Sequence, residues 1–211
     1  VDESDGTHRN IPTKQLVCNY LEADHLNYYD DLDHIIASMI EVVRGRDDLE
    51  KLFVNIDCPG NRRLVEAVDV PVVTYGVEHD ADVRATVVEK GPRFTYFDVS
   101  CRGEPLGRFR LNIPGHYNVT NAAGALAVAF ENGIAAEPAR EALDGFRGLE
   151  NRFTVDEAGD ILIVKDYNSH PTAIRKVLGS ARGLSSGRVV SVFKPYRYTL
   201  THYLKDEYAT A

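Results

Sequence analysis

Three short apolar segments in the first third of the chain alternate with segments of helical character. Residues 15–21, 52–56 and 72–75 each have the length and composition of a buried strand. Between the first two, from Leu32 to Val43, apolar side chains recur at i, i+3, i+4, i+7, i+8 and i+11, the spacing of an amphipathic helix. Residues 61–68 predict a second helix. Strands that alternate with helices in this way predict an α/β fold with a parallel sheet.

The pattern changes after residue 80, where apolar and polar side chains alternate along each segment. Three further strands are predicted in this way, at residues 82–89, 93–101 and 106–112. The turn sequences Lys90-Gly91-Pro92 and Arg102-Gly103 separate them, so we expect a small antiparallel meander with one exposed face. Helices are predicted over residues 118–132 and from near Pro138 to Gly145.

A second unit is predicted after residues 148–152, so we divide the chain into domains 1–149 and 150–211. In the second we expect a strand at 161–164, a helix at 172–181, a strand at 188–193 and a helix from 199 onward. Two strands are too few for a parallel sheet that is covered on both faces, so this domain is expected to be truncated. The chain begins at Val1 and ends at Ala211 within a predicted helix, and we expect it to be a fragment of a longer protein.

Composition excludes several classes of function. The chain has 211 residues, 24 Lys and Arg against 32 Asp and Glu, and a formal net charge of −8, which argues against a general nucleic-acid binder. No apolar run approaches the roughly 20 residues that span a bilayer, so no membrane protein is expected. Cys18, Cys58 and Cys101 are far apart and lack metal-ligand spacing, which favours buried thiols in a reducing cytoplasm.

Acidic side chains create two candidate cation sites. The run Asp2-Glu3-Ser4-Asp5-Gly6 could hold a hard cation, but a solvated acidic segment explains it better. The run Glu22-Ala23-Asp24-His25 follows a predicted strand, where ligands bind in open α/β sheets. There His25 could bind a metal or be oriented by the two carboxylates, and an ordinary charged surface loop is an equally good interpretation.

Two asparagines follow the sharp turn at Pro114-Gly115. Asn118 can cap the following helix, whereas a cap does not explain Asn121, one turn further on. Asparagine amides offer a donor and an acceptor together, so this pair could recognise the edge of a purine.

Polar residues follow the two predicted strands of the second unit. Asp166 could accept a hydrogen bond from a ribose hydroxyl or lie near a metal, and His170 precedes a proline that begins a helix, where anions bind. Arg197 suits recognition of a carboxylate or phosphate, although pairing with a nearby acid is the alternative. Arg152 has the same two interpretations.

Taken in order, these motifs resemble the Mur ligases over nearly the whole chain. The resemblance rests on the segments at residues 2–6, 19–25 with 28–29, 74–76, 80–82, 114–121, 148–153, 166–171 and 193–198. It implies part of a central ATPase domain with a parallel sheet, followed by the start of a Rossmann-like C-terminal domain. The sequence contains no G-x-x-x-x-G-K phosphate loop, so we expect this chain alone to be inactive.

The resemblance also implies a cytoplasmic reaction of peptidoglycan synthesis, in which ATP and Mg²⁺ support amide formation between UDP-N-acetylmuramate and L-alanine. ATP would phosphorylate the muramyl carboxylate, and the amine of L-alanine would displace the phosphate. The implied roles are a metal ligand at His25, adenine contacts at Asn118 and Asn121, an ATP-phosphate contact with a catalytic role at Arg152, a ribose contact at Asp166, a catalytic and substrate-binding role at His170, and substrate binding at Arg197.

Departures from the family pattern leave two alternatives open. Lys165 and Ser169 replace an aspartate and a histidine, and Tyr117 and Tyr196 each replace a histidine of the usual motifs. One alternative is a related ligase that accepts a peptide in murein recycling. The other is a homologue that binds nucleotide without catalysis.

Overall fold

The computed structural model describes residues 4, 6–115, 117–196 and 198–211. Arg197, for which a substrate contact is expected, lies outside the described residues. So do the residues of the acidic run 2–6 other than Ser4 and Gly6.

Six strands form one sheet whose spatial order follows the sequence. The strands are β1 (Gln15–Cys18), β2 (Lys51–Asn55), β3 (Val72–Gly76), β4 (Val83–Lys90), β5 (Thr95–Cys101) and β6 (Glu104–Leu111). The pairs from β1 to β4 are parallel, and β4, β5 and β6 are antiparallel. This arrangement confirms the predicted α/β class and the meander, which continues the parallel sheet because β4 pairs with β3.

Helices cover both faces of the parallel strands. They are α1 (Leu32–Arg44), α2 (Pro59–Ala67), α3 (Tyr117–Glu131) and α4 (Ala136–Gly145). Side chains along β2 alternate between the two faces: Leu52 packs with Ile36 and Leu64 of α1 and α2, whereas Phe53 packs with Ala123 of α3. The middle of β2, from Leu52 to Val54, is apolar because both of its faces are buried.

Residues after 150 form a separate small sheet with its own helices. The antiparallel strands β7 (Thr154–Ala158) and β8 (Ile161–Lys165) precede α5 (Pro171–Leu184), α6 (Tyr198–Tyr203) and α7 (Lys205–Thr210). The predicted strand at 188–193 is wrong. Residues 188–193 pair with no described strand, and they line a cavity of about 670 Å³ together with residues of β8 and α5. Val192 is 95% exposed.

No helix within the described residues has both the length and the apolar character needed to cross a bilayer.

Candidate functional site

The loop that follows β1 meets the first turn of α5. The hydroxyl of Thr172 donates to Glu22 Oε1 at 2.5 Å, and His170 Nδ1 lies 3.4 Å from Glu22 Oε2. His170 Nε2 lies 3.3 Å from the carbonyl oxygen of Ala23. This loop lies at the carboxyl end of β1. There the Glu22–His25 segment lies beside His170, although at least 145 positions separate them in the sequence.

His170 is the N-cap of α5 and its ring Nδ1 accepts from the backbone N–H of Thr172. The ring is mostly buried, with 15% of the side chain exposed. The nitrogen that accepts from Thr172 cannot also donate to Glu22, so the hydrogen-bond partner of the ring in the β1 loop is the carbonyl oxygen of Ala23, which accepts from Nε2.

His25 lies in the same loop with a left-handed backbone, φ +52°. Its backbone N–H donates to Asp24 Oδ1 at 2.7 Å, and its ring Nε2 lies 3.9 Å from Asp24 Oδ2. The described part of the chain contains no group of three or more His, Cys, Asp or Glu that could enclose a metal ion. His25 and Asp24 therefore supply at most two protein ligands, and the metal role of His25 stays a prediction.

Asn118 and Asn121 form a hydrogen-bonded pair on the first turn of α3. Asn121 Nδ2 donates to Asn118 Oδ1 at 3.1 Å, and Asn118 Nδ2 donates to the carbonyl oxygen of Pro114 at 2.7 Å. The expectation that Asn118 caps the helix is wrong, because it is the second residue of α3 and its amide donates to a carbonyl, whereas a cap accepts from a backbone N–H. Asn121 is exposed, so the pair is open to a ligand.

Asp166 holds the backbone between the two sheets. Its Oδ2 accepts from the N–H of Phe153 at 2.8 Å and its Oδ1 accepts from the N–H of Asn168 at 2.9 Å. Phe153 is 5% exposed and has φ +52°, a conformation that costs an L-residue about 1–2 kcal/mol. Asp166 thus stabilises a strained turn, and each of its oxygens keeps a lone pair for a further donor.

Arg152 and Tyr117 lie close to this carboxylate. Arg152 donates to Asn168 Oδ1 at 3.1 Å, and its guanidinium carbon lies 5.7 Å from the ring centroid of Tyr167. Burial raises the pKa of the Tyr117 hydroxyl, and the negative charge of Asp166 raises it further. Tyr117, at the start of α3, is hydrogen-bonded to Asn118 and lies within the electrostatic influence of Asp166.

Asp57, directly after β2, organises the loop that follows β3. Its carboxylate accepts from the backbone N–H groups of Val77 at 2.6 Å, Glu78 at 3.1 Å and His79 at 2.8 Å, and the His79 ring lies 3.0 Å away. Burial alone would raise the pKa of Asp57, but these hydrogen bonds outweigh burial and hold the pKa below its usual value. The carboxylate of Asp57 therefore holds the loop after β3 in place.

Sequence reasoning assigned no role to Asn19, Asp57 or Tyr208, and did not predict that Glu22 joins two parts of the chain. Asp57 directly follows the predicted strand at 52–56, so the strand-end argument that selected Glu22–His25 applies to it equally. Asn19 lay within the predicted strand at 15–21, but β1 ends at Cys18, so only the structure places Asn19 after the strand. Tyr208 donates to the carbonyl oxygen of Ser169 at 2.5 Å, and nothing in the sequence signals this contact.

Comparisons with known proteins agree with this architecture. Residues 7–129 match the family model of the Mur ligase middle domain. UDP-N-acetylmuramate–L-alanine ligase from Anaeromyxobacter sp. (strain Fw109-5) is 37% identical over 211 residues, which is 100% of this chain and 46% of the relative. The enzyme of the same name from Solibacter usitatus is 38% identical over 99% of this chain and 44% of its own length.

A solved structure supports the same fold. The UDP-N-acetylmuramate–alanine ligase of Thermotoga maritima superposes with a TM-score of 0.76 and 24% identity, over 97% of this chain and 46% of that one. The chain thus spans less than half the length of the curated relatives it matches. Since the family model covers more than half of its residues, the chain belongs to the Mur ligase family, and residues 7–129 correspond to the middle domain of that family.

Proposed function

We propose that this chain is part of an ATP-dependent ligase that joins L-alanine to UDP-N-acetylmuramate in peptidoglycan synthesis. One observation carries the proposal: the β1 loop, the asparagine pair and the Asp166–His170 segment meet at one edge of the sheet in a family member. The names of relatives that match the whole chain at 37% and 38% identity support the choice of substrates.

The reaction requires activation because a carboxylate is a poor acyl donor. The terminal phosphoryl group of ATP transfers to an oxygen of the muramyl carboxylate and gives an acyl phosphate and ADP. The amine of L-alanine then attacks the carbonyl carbon. The new C–N bond forms and the C–O bond to phosphate breaks. The amino group of L-alanine gives up its excess protons to a base or to solvent, and inorganic phosphate is released. Anionic partners must approach one another, so cationic groups lower the barrier.

We assign the nucleotide to the side of the site formed by α3 and the Asp166 turn. Asn118 and Asn121 would hold the adenine, and each oxygen of Asp166 has a lone pair left for a ribose hydroxyl. Arg152, which lies over the Tyr167 ring, would contact the phosphates.

We assign metal and substrate binding to the β1 loop, which adjoins the asparagine pair through the bond from Asn19 to Asn121. His25, beside Asp24, would ligate Mg²⁺. When bound, Mg²⁺ would supply charge neutralisation to the phosphate oxygens. His170, held against Glu22, would face the amino acid, and the resemblance assigns the muramyl substrate to Arg197.

We further propose that the chain divides into domains 1–149 and 150–211 and acts in the cytoplasm. The two sheets share no strand, and left-handed backbone at Gly148, Asn151 and Phe153 turns the chain between them. The three cysteines are thiols rather than disulfides, which suits a reducing compartment.

Phosphate release by the natural full-length protein tests the proposed reaction. We expect release from ATP that requires both UDP-N-acetylmuramate and L-alanine. Release with a murein tripeptide in place of L-alanine would assign the peptide ligase instead, and nucleotide binding without release would assign the non-catalytic homologue.

A charge-removing variant tests the role of Arg152. Arg152→Gln removes a cation from the expected phosphate site, so we expect kcat/KM for ATP to fall roughly tenfold or more. Arg175→Gln makes the same change on an exposed residue of α5 and should leave kcat/KM unchanged. Equal values for the two variants would contradict the assignment of Arg152.

A further inference from the structure

The carboxylate of Glu22 joins the loop that follows β1 to the first turn of α5. Its Oε1 accepts from the hydroxyl of Thr172 at 2.5 Å, and its Oε2 lies 3.4 Å from His170 Nδ1. That ring nitrogen already accepts from the backbone N–H of Thr172. Glu22 therefore acts on His170 through Thr172, and not through a hydrogen bond to the ring.

The main chain that carries Glu22 is held by buried side chains at the start of α2. Cys58 is 0% exposed, and its Sγ accepts from the N–H of Leu21 at 3.4 Å and donates to the carbonyl oxygen of Leu21 at 3.5 Å. The fully buried amide of Asn61 donates to the carbonyl oxygen of Asn19 at 3.3 Å. The side chain of Glu22 therefore extends from a loop whose backbone is fixed to the core.

The first turn of α5 favours a negative charge at the position of Glu22. The backbone N–H groups of a first turn have no partner within the helix, and the N-terminus carries a partial positive charge. Helix α5 has 14 residues, and His170 is its N-cap. A carboxylate beside this end is therefore stabilised, which keeps Glu22 within reach of the Thr172 hydroxyl.

Two further contacts hold the backbone and the ring around His170. Its Nε2 lies 3.3 Å from the carbonyl oxygen of Ala23, in the same loop as Glu22. Tyr208 of α7 donates to the carbonyl oxygen of Ser169 at 2.5 Å. Only 15% of the His170 side chain is exposed, so the place of its ring depends on how α5 meets the β1 loop.

We propose that Glu22 is a positioning residue for the ligation: by holding Thr172, its carboxylate sets the place of His170 against the β1 loop. This inference rests on the proposed function, in which His170 faces the amino acid and His25, in the same loop as Glu22, ligates the metal. A group that shifts by about 1 Å from the reacting atoms can lose about 100-fold in rate. Glu22 thus couples the place of the amino acid to that of the metal.

Kinetics of the natural full-length protein test this role. Glu22→Ala removes the acceptor of the Thr172 hydroxyl, so we expect kcat/KM for L-alanine to fall about tenfold. KM for ATP should stay unchanged, because Asp166, assigned to the ribose, is held by backbone N–H groups and not by Glu22. Glu22→Gln keeps the acceptor oxygen and should stay close to wild type. Glu141→Ala, on an exposed residue of α4, is the control and should match wild type.

Three kinetic results would overturn the proposal. The first is an unchanged kcat/KM for L-alanine in Glu22→Ala. The second is a rise in KM for ATP as large as the loss in kcat/KM for L-alanine, since that would indicate a general loosening of the fold. The third is a loss in Glu22→Gln equal to that in Glu22→Ala, since the reaction would then need the negative charge rather than the hydrogen bond.

Deuterium exchange of the amides in the first turn of α5 tests the contact without substrates. We expect faster exchange there in Glu22→Ala and exchange as slow as in wild type in Glu22→Gln. Exchange in Glu22→Ala equal to that in Glu141→Ala would overturn the proposal. A wild-type protein that shows the expected exchange pattern but no ATP-dependent ligation would instead overturn the proposed function.

Discussion

At Gly124, helix α3 packs closely against Tyr75 of the sheet. A Cβ at this position would lie 2.9 Å from Cζ and 3.2 Å from the hydroxyl oxygen of the buried Tyr75 ring. Glycine in the middle of a helix ordinarily costs about 0.5–1 kcal/mol relative to alanine. Here that cost is offset by the close packing of a buried aromatic ring against the helix.

Alanine substitution should therefore have opposite signs at two helical glycines. We expect Gly124→Ala to lower the free energy of unfolding by about 1–3 kcal/mol, because Tyr75 cannot move without displacing the core. Gly179→Ala in α5, where no heavy atom lies within 4 Å of the new Cβ, should raise it by about 0.5–1 kcal/mol. Urea unfolding of both variants is the measurement, and stabilisation by Gly124→Ala would refute the packing argument.

Asp57 supplies a pH-dependent contribution to stability. Its carboxylate receives three backbone N–H groups, so we expect Asp57→Asn to lower the free energy of unfolding by about 1–3 kcal/mol at pH 7. The folded pKa lies below the ordinary value of 3.8. The stabilisation is therefore fully present above pH 3.8 and is lost as the pH falls through the folded pKa.

Denaturant unfolding at a series of pH values measures this effect. The difference between wild type and Asp57→Asn should shrink below pH 3.8. Asp80→Asn, with 97% of its side chain exposed, is the matched control and should differ little from wild type at any pH. A difference for Asp57→Asn that stays constant down to pH 2 would rule out a role for its ionised form.

At the scale of elements, α5 is tied to the end of β1 mainly through Glu22. Thr172→Val removes the hydroxyl that donates to Glu22 and keeps the shape of the side chain. The loss of one such bond costs about 1 kcal/mol, so amides in the first turn of α5 should exchange with deuterium roughly fivefold faster. The second half of α5 should be unaffected.

Ser180→Ala is the control for this element, because the Ser180 hydroxyl donates only within α5, to the carbonyl oxygen of Lys176. Its effect should be confined to that turn. Equal exchange at the first turn of α5 in Thr172→Val and wild type would show that Glu22 does not hold the helix.

The prediction of a helix or strand was correct where the signal lay within one segment. It was wrong where the segment needed a hydrogen-bonded neighbour elsewhere in the chain. The helix predicted from Leu32 to Val43 forms as α1, since its apolar spacing and the capping carboxylate of Asp31 lie within one segment. The strand predicted at 188–193 does not form, because a strand needs a hydrogen-bonded neighbour and residues 188–193 have none. The residues of this segment favour extended backbone, but their sequence does not show whether a neighbouring strand is present.

At the scale of the whole molecule, the chain corresponds to 44–46% of the curated relatives it matches. It contains no G-x-x-x-x-G-K sequence, the loop whose backbone N–H groups cradle phosphates. We therefore expect the 211-residue chain on its own neither to bind ATP tightly nor to hydrolyse it. Mg²⁺-dependent release of phosphate from ATP by the purified chain would contradict this expectation.

The sequence by itself determined the α/β class, the meander and the candidate residues that follow each strand. These features depend on hydrophobic periodicity and on the order of motifs, both of which can be recognised from the sequence alone. The roles expected of His25, Asn118, Asn121, Arg152, Asp166, His170 and Arg197 came from the resemblance and stay predictions.

Only the tertiary structure decided how these residues meet. Asn19 bonds to Asn121 across 102 positions and Thr172 bonds to Glu22 across 150, and no local pattern encodes such distances. The orientation of the Asn118 amide likewise depends on a backbone carbonyl, at Pro114, whose position the fold alone provides. A side chain's type is local information, whereas its hydrogen-bond partner is a property of packing, which is why the site emerged only from the structure.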